Sequence, residues 1–163
     1  LFRSGALVAY VYAKFARHLG PAASPLFERW LAERVGNWAN CDALCTVPVA
    51  ACLARYPDLA SRVSSWQSGA SRWQRRGAAV GLVKEARAGR HLAIILETAA
   101  ALRADADEMV QKGTGWLLKE TYPKHPREVV RFLRNGPAPF PRLVLRYAAE
   151  KMSETDRATV LGA

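Results

Sequence analysis

Asn37-Trp38-Ala39-Asn40-Cys41-Asp42 sets an indole and a carboxylate four residues apart inside a segment with a helical apolar period. Four residues make about one helical turn, so Trp38 and Asp42 share a face. Two stretches downstream repeat the theme. Trp73-Gln74-Arg75-Arg76 carries a basic cluster, and Gly113-Thr114-Gly115-Trp116 a second tryptophan, each again within a helical pattern. Aromatic, acid, base and aromatic thus recur on successive helices. An acid that works beside a polyanion needs such company: arginines neutralise the negative charge, and rings offer an apolar face.

Gly, Pro, Ser and Asp cut the rest of the chain into short amphipathic segments that are helical by period. The pattern predicts a first helix over 2–19, stopped by Gly20-Pro21, and a second over 24–35 with Ser24 as cap and Pro25 at its first position. Asn37 caps the next, which is interrupted near Pro48 and continues to Tyr56. Helices follow over 58–66, 71–86 and 91–103, then from Asp105 or Asp107 to Tyr122, over 126–134 and over 141–152. The last residues, 153–163, read as a weak tail. No run alternates as a strand would. Helices of this length joined by short polar turns predict an all-α solenoid of antiparallel helix pairs, although no fixed sequence period survives.

A chain of 163 residues, half of them hydrophobic, buries one core and reads as a single domain over 1–163. The net charge of +10, from 24 Lys and Arg against 14 Asp and Glu, points to a polyanionic partner. Nucleic acid leads and an anionic membrane surface comes second. No stretch approaches the roughly 18 uncharged apolar residues of a membrane span, and nucleic acid rather than a membrane is the expected partner. Cys41, Cys45 and Cys52 are an odd number and suit a reducing compartment, so a cytoplasmic location is expected. The chain opens at Leu1 in helical periodicity with no targeting signature, as the interior of a longer polypeptide does.

Trp38 with Asp42, Trp73 with Arg76, and Gly115-Trp116-Leu117-Leu118-Lys119-Glu120, in this order and spacing, resemble the DNA alkylation repair glycosylases of the AlkD type. Pro141-Arg142-Leu143-Val144-Leu145-Arg146-Tyr147-Ala148 resembles their last repeat. The resemblance implies HEAT-like repeats curved around a basic concave groove. It also implies hydrolytic release of alkylated purines from duplex DNA, without flipping the base into a pocket. By motif, Trp38 and Trp116 are the sugar-contacting aromatics, Asp42 the catalytic carboxylate and Arg76 the phosphate-binding arginine. The family's domain begins before Leu1, so this chain is expected to lack its N-terminal repeats. A monomer without cofactor is expected.

The residues themselves carry part of this. A carboxylate beside a packed ring would be desolvated unless it has a partner or a task, which favours a site at Asp42. Trp30, Trp66 and Trp73 have no charged constellation and are assigned to packing. Arg72 and Arg76 share a face while Arg75 points elsewhere, and no carboxylate lies within four residues on their helix, so all three read as unpaired forks for phosphate. Lys112, one turn before Trp116, adds a further phosphate contact. Gly113 and Gly115 each cost roughly 1 kcal/mol against Ala within a helix, which implies close approach by a neighbouring helix or a DNA backbone.

Other chemistry is not supported. Cys41 and Cys45 lack a nearby histidine and read as buried thiols rather than metal ligands. No nucleophile stands beside His18, His91 or His125, and phosphate-loop and dinucleotide fingerprints are absent. Two functions remain. One is a DNA glycosylase for the cationic lesions 3-methyladenine and 7-methylguanine. The other is a noncatalytic helical scaffold that binds nucleic acid or protein, and Asp42 separates them because a phosphate groove gains nothing from a carboxylate.

Overall fold

Prolines and capping side chains set the element boundaries of the computed structural model, which describes residues 19–162. The expected helix over 2–19 lies outside the described residues except for Leu19. A 3-10 turn, Pro21–Ala23, runs straight into α1 (Ser24–Glu33). Ser24 is therefore the first helical residue and not the cap, and among the described residues its buried hydroxyl has no hydrogen-bond partner.

α2 (Trp38–Leu44) begins where the sequence places it, with the Asn37 side chain accepting the N–H of Asn40. Pro48 cannot donate to the helical ladder. The helix absorbs it by widening into one π turn, Cys45–Val49, before α3 (Ala50–Arg55) resumes. α4 (Leu59–Ser65) follows. A capping box between Ser71 and Gln74 then starts α5 (Arg72–Gly81). The expected helix over 71–86 is in fact two, since Leu82 separates α5 from α6 (Val83–Arg87).

α7 (Leu92–Ala101) leads to α8 (Glu108–Thr121), which is capped by Asp107 rather than Asp105. α9 (Pro126–Arg134) has its predicted bounds, while the helix expected over 141–152 is α10 (Arg142–Ala148) followed by a 3-10 turn, Ala149–Lys151. The weak tail is corrected: Ser153 accepts the N–H of Asp156 and opens α11 (Glu154–Leu161), which ends on left-handed Gly162. The Tyr122 hydroxyl ties this helix back to the body by donating to Asp156 Oδ2 at 2.6 Å. Among the described residues there is no strand, and no helix is long and apolar enough to cross a membrane.

These helices fall into two rows. The first helices of successive pairs begin at Ser24, Leu59, Leu92 and Pro126, and the second at Trp38, Arg72, Glu108 and Arg142. Each start lies 33 to 36 residues after the one before it in its row. Side-chain bonds between layers keep the same interval, at 34 residues for Arg76 to Asp42, 33 for Arg87 to Glu120 and 34 for Tyr122 to Asp156. The chain is an all-α solenoid whose repeat exists in space and not as a sequence motif.

Packing within the layers follows the amphipathic pattern. Phe27, Leu31, Leu53 and Trp66 are buried in one cluster that extends to α8, and Leu118, Val129, Leu133 and Val144 in a second beyond it. Each such aliphatic or aromatic side chain contributes about 2 kcal/mol on burial. Trp30 and Trp73 pack partly buried against the first cluster, as assigned. The two glycines of α8 serve neighbouring helices. A Cβ on Gly113 would lie 3.2 Å from Arg76 Cγ, and one on Gly115 would lie 2.5 Å from Tyr147 Cβ and 2.9 Å from the Val144 carbonyl oxygen.

Candidate functional site

The second helices of three successive pairs meet around an open cleft of about 370 Å³. α2 contributes Trp38 and Asp42, α5 contributes Arg76, and α8 contributes Met109, Lys112, Trp116 and Lys119. Tyr147 of α10 completes the lining. Trp38, Asp42, Arg76, Lys112 and Trp116, singled out in the sequence, are thus brought together; Arg72 and Arg75 are not.

Trp38 is 55% exposed, which removes the packing explanation for it. It is the first residue of α2, where the Asn37 cap turns the chain, and its ring stands over the cleft instead of the core. Asp42 follows one turn on. Its two carboxylate oxygens accept from Arg76, Nε to Oδ1 and Nη2 to Oδ2, both at 2.8 Å. Arg76 Nη1 also donates to the Met109 carbonyl. The exposed fractions of the two side chains are 7% for Arg76 and 17% for Asp42. Burial opposes the charge on Arg76, but the hydrogen bonds and negative charge of Asp42 outweigh it and raise the guanidinium above its ordinary range.

The arginine cluster is therefore not the set of unpaired forks expected. Arg72 Nη1 reaches Asp107 at 3.2 Å, and Arg75 Nε reaches Asp105 at 2.6 Å while its Nη1 donates to the carbonyls of Gly69 and Ala70. The three acids that answer this cluster sit in the layers before and after it. No inspection of one helix reveals them. Arg76 keeps two of its five N–H donors, one on each Nη, outside these bonds.

Trp116 is half-buried, and its indole N–H donates to Glu120 Oε1 at 3.3 Å, one turn on along α8. Glu120 is itself buried and accepts from Arg87 Nε at 2.9 Å and Lys151 Nζ at 2.6 Å. Burial alone would raise its carboxyl, yet these two cations hold it down at about 2. A fixed anion thus anchors the second ring from behind. At the rim, Lys112 pairs with Glu108 at 3.3 Å and Lys119 with Glu150 at 2.7 Å.

Sequence reasoning missed Met109, Lys119, Glu120 and Tyr147. Lys119 could have been found, since it continues the stripe of Lys112 and Trp116 on α8. Glu120 could not, because its meaning depends on Arg87 and Lys151 from other layers. Beneath α2 the thiols of Cys41 and Cys45 are buried, and the hydrogen bond with Cys41 together with burial pushes Cys45 well above the usual thiol range. No group of three or more potential metal-binding side chains occurs among the described residues.

Chemically, the arrangement presents one carboxylate, fixed in orientation by Arg76, between two indoles and flanked by lysines. Such a surface suits a cation that forms next to a polyanion.

The family model described as DNA alkylation repair enzyme matches residues 2–152. Among solved structures, a predicted DNA alkylation repair enzyme from Enterococcus faecalis is similar in fold, with a TM-score of 0.79 at 13% identity over 90% of this chain and 67% of that one. No curated protein matches the chain.

Proposed function

The chain belongs to the DNA alkylation repair enzyme family, and on that premise we propose that it is a DNA glycosylase that hydrolyses the N-glycosidic bond of cationic alkylated purines, such as 3-methyladenine and 7-methylguanine, in duplex DNA. The observation that carries this reading is the carboxylate of Asp42, held by Arg76 in a cleft between Trp38 and Trp116.

A purine alkylated at N3 or N7 is positively charged and already a good leaving group, so it needs no proton from the enzyme. When the bond from the anomeric carbon to the base nitrogen breaks, the electron pair leaves with the base and cancels its charge. The sugar becomes oxocarbenium-like. Asp42 stabilises that cation and orients the water whose oxygen adds to the anomeric carbon; the water's proton passes through Asp42 to solvent. The indole faces of Trp38 and Trp116 add cation–π attraction of roughly 0.5–2 kcal/mol each.

Arg76 acts twice in this scheme. Its two bonds to Asp42 fix the carboxylate's direction, and its two spare donors meet a phosphate that sets the nucleotide in register. Lys112 and Lys119 add phosphate contacts at the rim, and half-exposed Arg72 one more. Arg75, tied to Asp105 and two carbonyls, supports the turn before α5 instead. Because the lesion's charge supplies the activation, neutral lesions such as uracil or hypoxanthine are left in place.

The doubly bonded Arg76–Asp42 pair also suits a second reading, in which the pair is purely structural and the chain is a noncatalytic scaffold that binds nucleic acid or protein. Single-turnover release of 7-methylguanine at equal DNA occupancy separates the two. The proposal expects wild type to release the base and Asp42→Asn to be slower by about a hundredfold or more. Equal rates, or no release by wild type, favour the scaffold.

A further inference from the structure

Many arginines of this chain are matched to carboxylates. Besides Arg72, Arg75 and Arg76, Arg62 pairs with Glu28, Arg87 with Glu120 and Arg90 with Glu85. Arg29, Arg34 and Arg146 have no such carboxylate among the described residues, and α9 gathers three arginines of that kind on one stripe. Arg127, Arg131 and Arg134 recur at steps of four and three residues and are all exposed, while Val129 and Leu133 of the same helix are buried. None of the three guanidiniums has an ion pair or hydrogen bond with another described residue.

All three line an open groove of about 670 Å³, shared with Tyr122, Val130 and Asp156. Asp156 is the one acid in the lining, and it is occupied by the Tyr122 hydroxyl. The groove has no lining residue in common with the Trp38–Trp116 cleft. Its cations are therefore left over from both the packing and the proposed chemistry.

We propose that this groove is a second DNA-backbone site, which holds a stretch of duplex outside the cleft by phosphate contacts from Arg127, Arg131 and Arg134. An unpaired guanidinium fork matches a phosphate, which it can hold by two hydrogen bonds. At about 1.5 Å per residue the three arginines span about 10.5 Å of helix axis. One DNA strand offers a phosphate about every 3.4 Å of its axis, so three consecutive phosphates fall within that span. Val130 and Tyr122 add apolar atoms to the lining beside the three arginines. The inference takes its partner from the proposed function but needs no chemistry in the cleft.

The test is fluorescence anisotropy with an unmodified labelled duplex, from about 50 to 200 mM salt, on wild type and the Arg127→Gln/Arg131→Gln/Arg134→Gln variant. Each phosphate contact removed lowers the log–log salt slope by about 0.9, so the slope should fall by between two and three. Arg131→Gln alone, with the fold checked by circular dichroism, should lower it by about 0.9. Release of 7-methylguanine at saturating DNA should stay at the wild-type rate. Unchanged affinity and slope in both variants would mean a solvated face and overturn the proposal. So would DNA binding that is intact in the triple variant while binding of poly-glutamate is lost, which would assign the groove to an acidic protein. A lowered slope together with no base release by wild type would leave this site standing and remove only the glycosylase reading.

Discussion

Arg76 holds Asp42 in a two-pronged grip across 34 residues of sequence, with Nε and Nη2 each 2.8 Å from a carboxylate oxygen. The grip joins α5 to α2, so one contact both docks two layers and aims the carboxylate. Removing either partner leaves the other, 7% exposed for Arg76 or 17% for Asp42, without its counter-charge.

Arg76→Ala is therefore expected to destabilise the fold by about 3 kcal/mol, in the range for a broken buried pair. The double variant Asp42→Ala/Arg76→Ala should lose less than the sum of the two single changes, because no lone charge remains. Urea denaturation of the four proteins measures this. Strict additivity would mean that the pair carries no coupling.

Trp38 and Trp66 make opposite predictions. Trp38 is 55% exposed and Trp66 is 1% exposed. Trp66→Ala should cost about 3–5 kcal/mol of stability, as large core truncations do. Trp38→Ala should leave the denaturation midpoint nearly unchanged while slowing 7-methylguanine release by about tenfold, the equivalent of a cation–π contribution near 1.4 kcal/mol. A Trp38→Ala protein that releases base normally would remove the ring from the chemistry.

The carboxyl of Glu120 is held at about 2, against an ordinary value of 4.5. Its folded value lies below its unfolded value, so its contribution is complete above about pH 4.5 and is lost as the pH falls toward 2. The contribution is on the order of 2 kcal/mol, reduced by solvent around the half-exposed Arg87 and Lys151. Glu120→Gln should flatten the stability profile over this acid window. Above the window it should also shift Trp116 fluorescence, because the indole N–H loses its anionic acceptor.

Alanine usually stabilises a helix against glycine by about 1 kcal/mol. At Gly115 the added methyl would meet Tyr147 Cβ at 2.5 Å and the Val144 carbonyl at 2.9 Å, so α8 and α10 must separate. Gly115→Ala should destabilise by about 1–3 kcal/mol. Gly113→Ala comes no nearer than 3.2 Å, to Arg76 Cγ, with Arg76 Nη1 and Val80 Cγ2 at 3.5 Å, and should be milder. Chemical denaturation midpoints rank the two.

Local chemistry explains what could be read from the sequence. Asn37, Ser71 with Gln74, and Asp107 announce their helices because a cap needs only its neighbours within three residues. The same logic marks α11 in hindsight, with Ser153 before Asp156 and Gly162 at the end; its polar surface hid it. The face shared by Trp38 and Asp42 was legible for the same reason. What was not legible is the pairing of each arginine, since Asp42, Asp105 and Asp107 lie about one structural repeat away from the cluster they neutralise. With no fixed sequence period, nothing in the chain marks which residues face each other across layers.

The near-constant spacing of the layers bears on when the site exists. Contacts in a solenoid run between neighbours, so its stability behaves as a row of links, each of which can open by itself at less cost than unfolding the whole. The cleft draws on α2, α5 and α8 together, which makes it a conjunction: two adjacent links must be closed at once for the rings and the carboxylate to face the same sugar. Warming should then extinguish base release at temperatures where circular dichroism still records nearly all of the helix, because parting one link scatters the site while every helix survives.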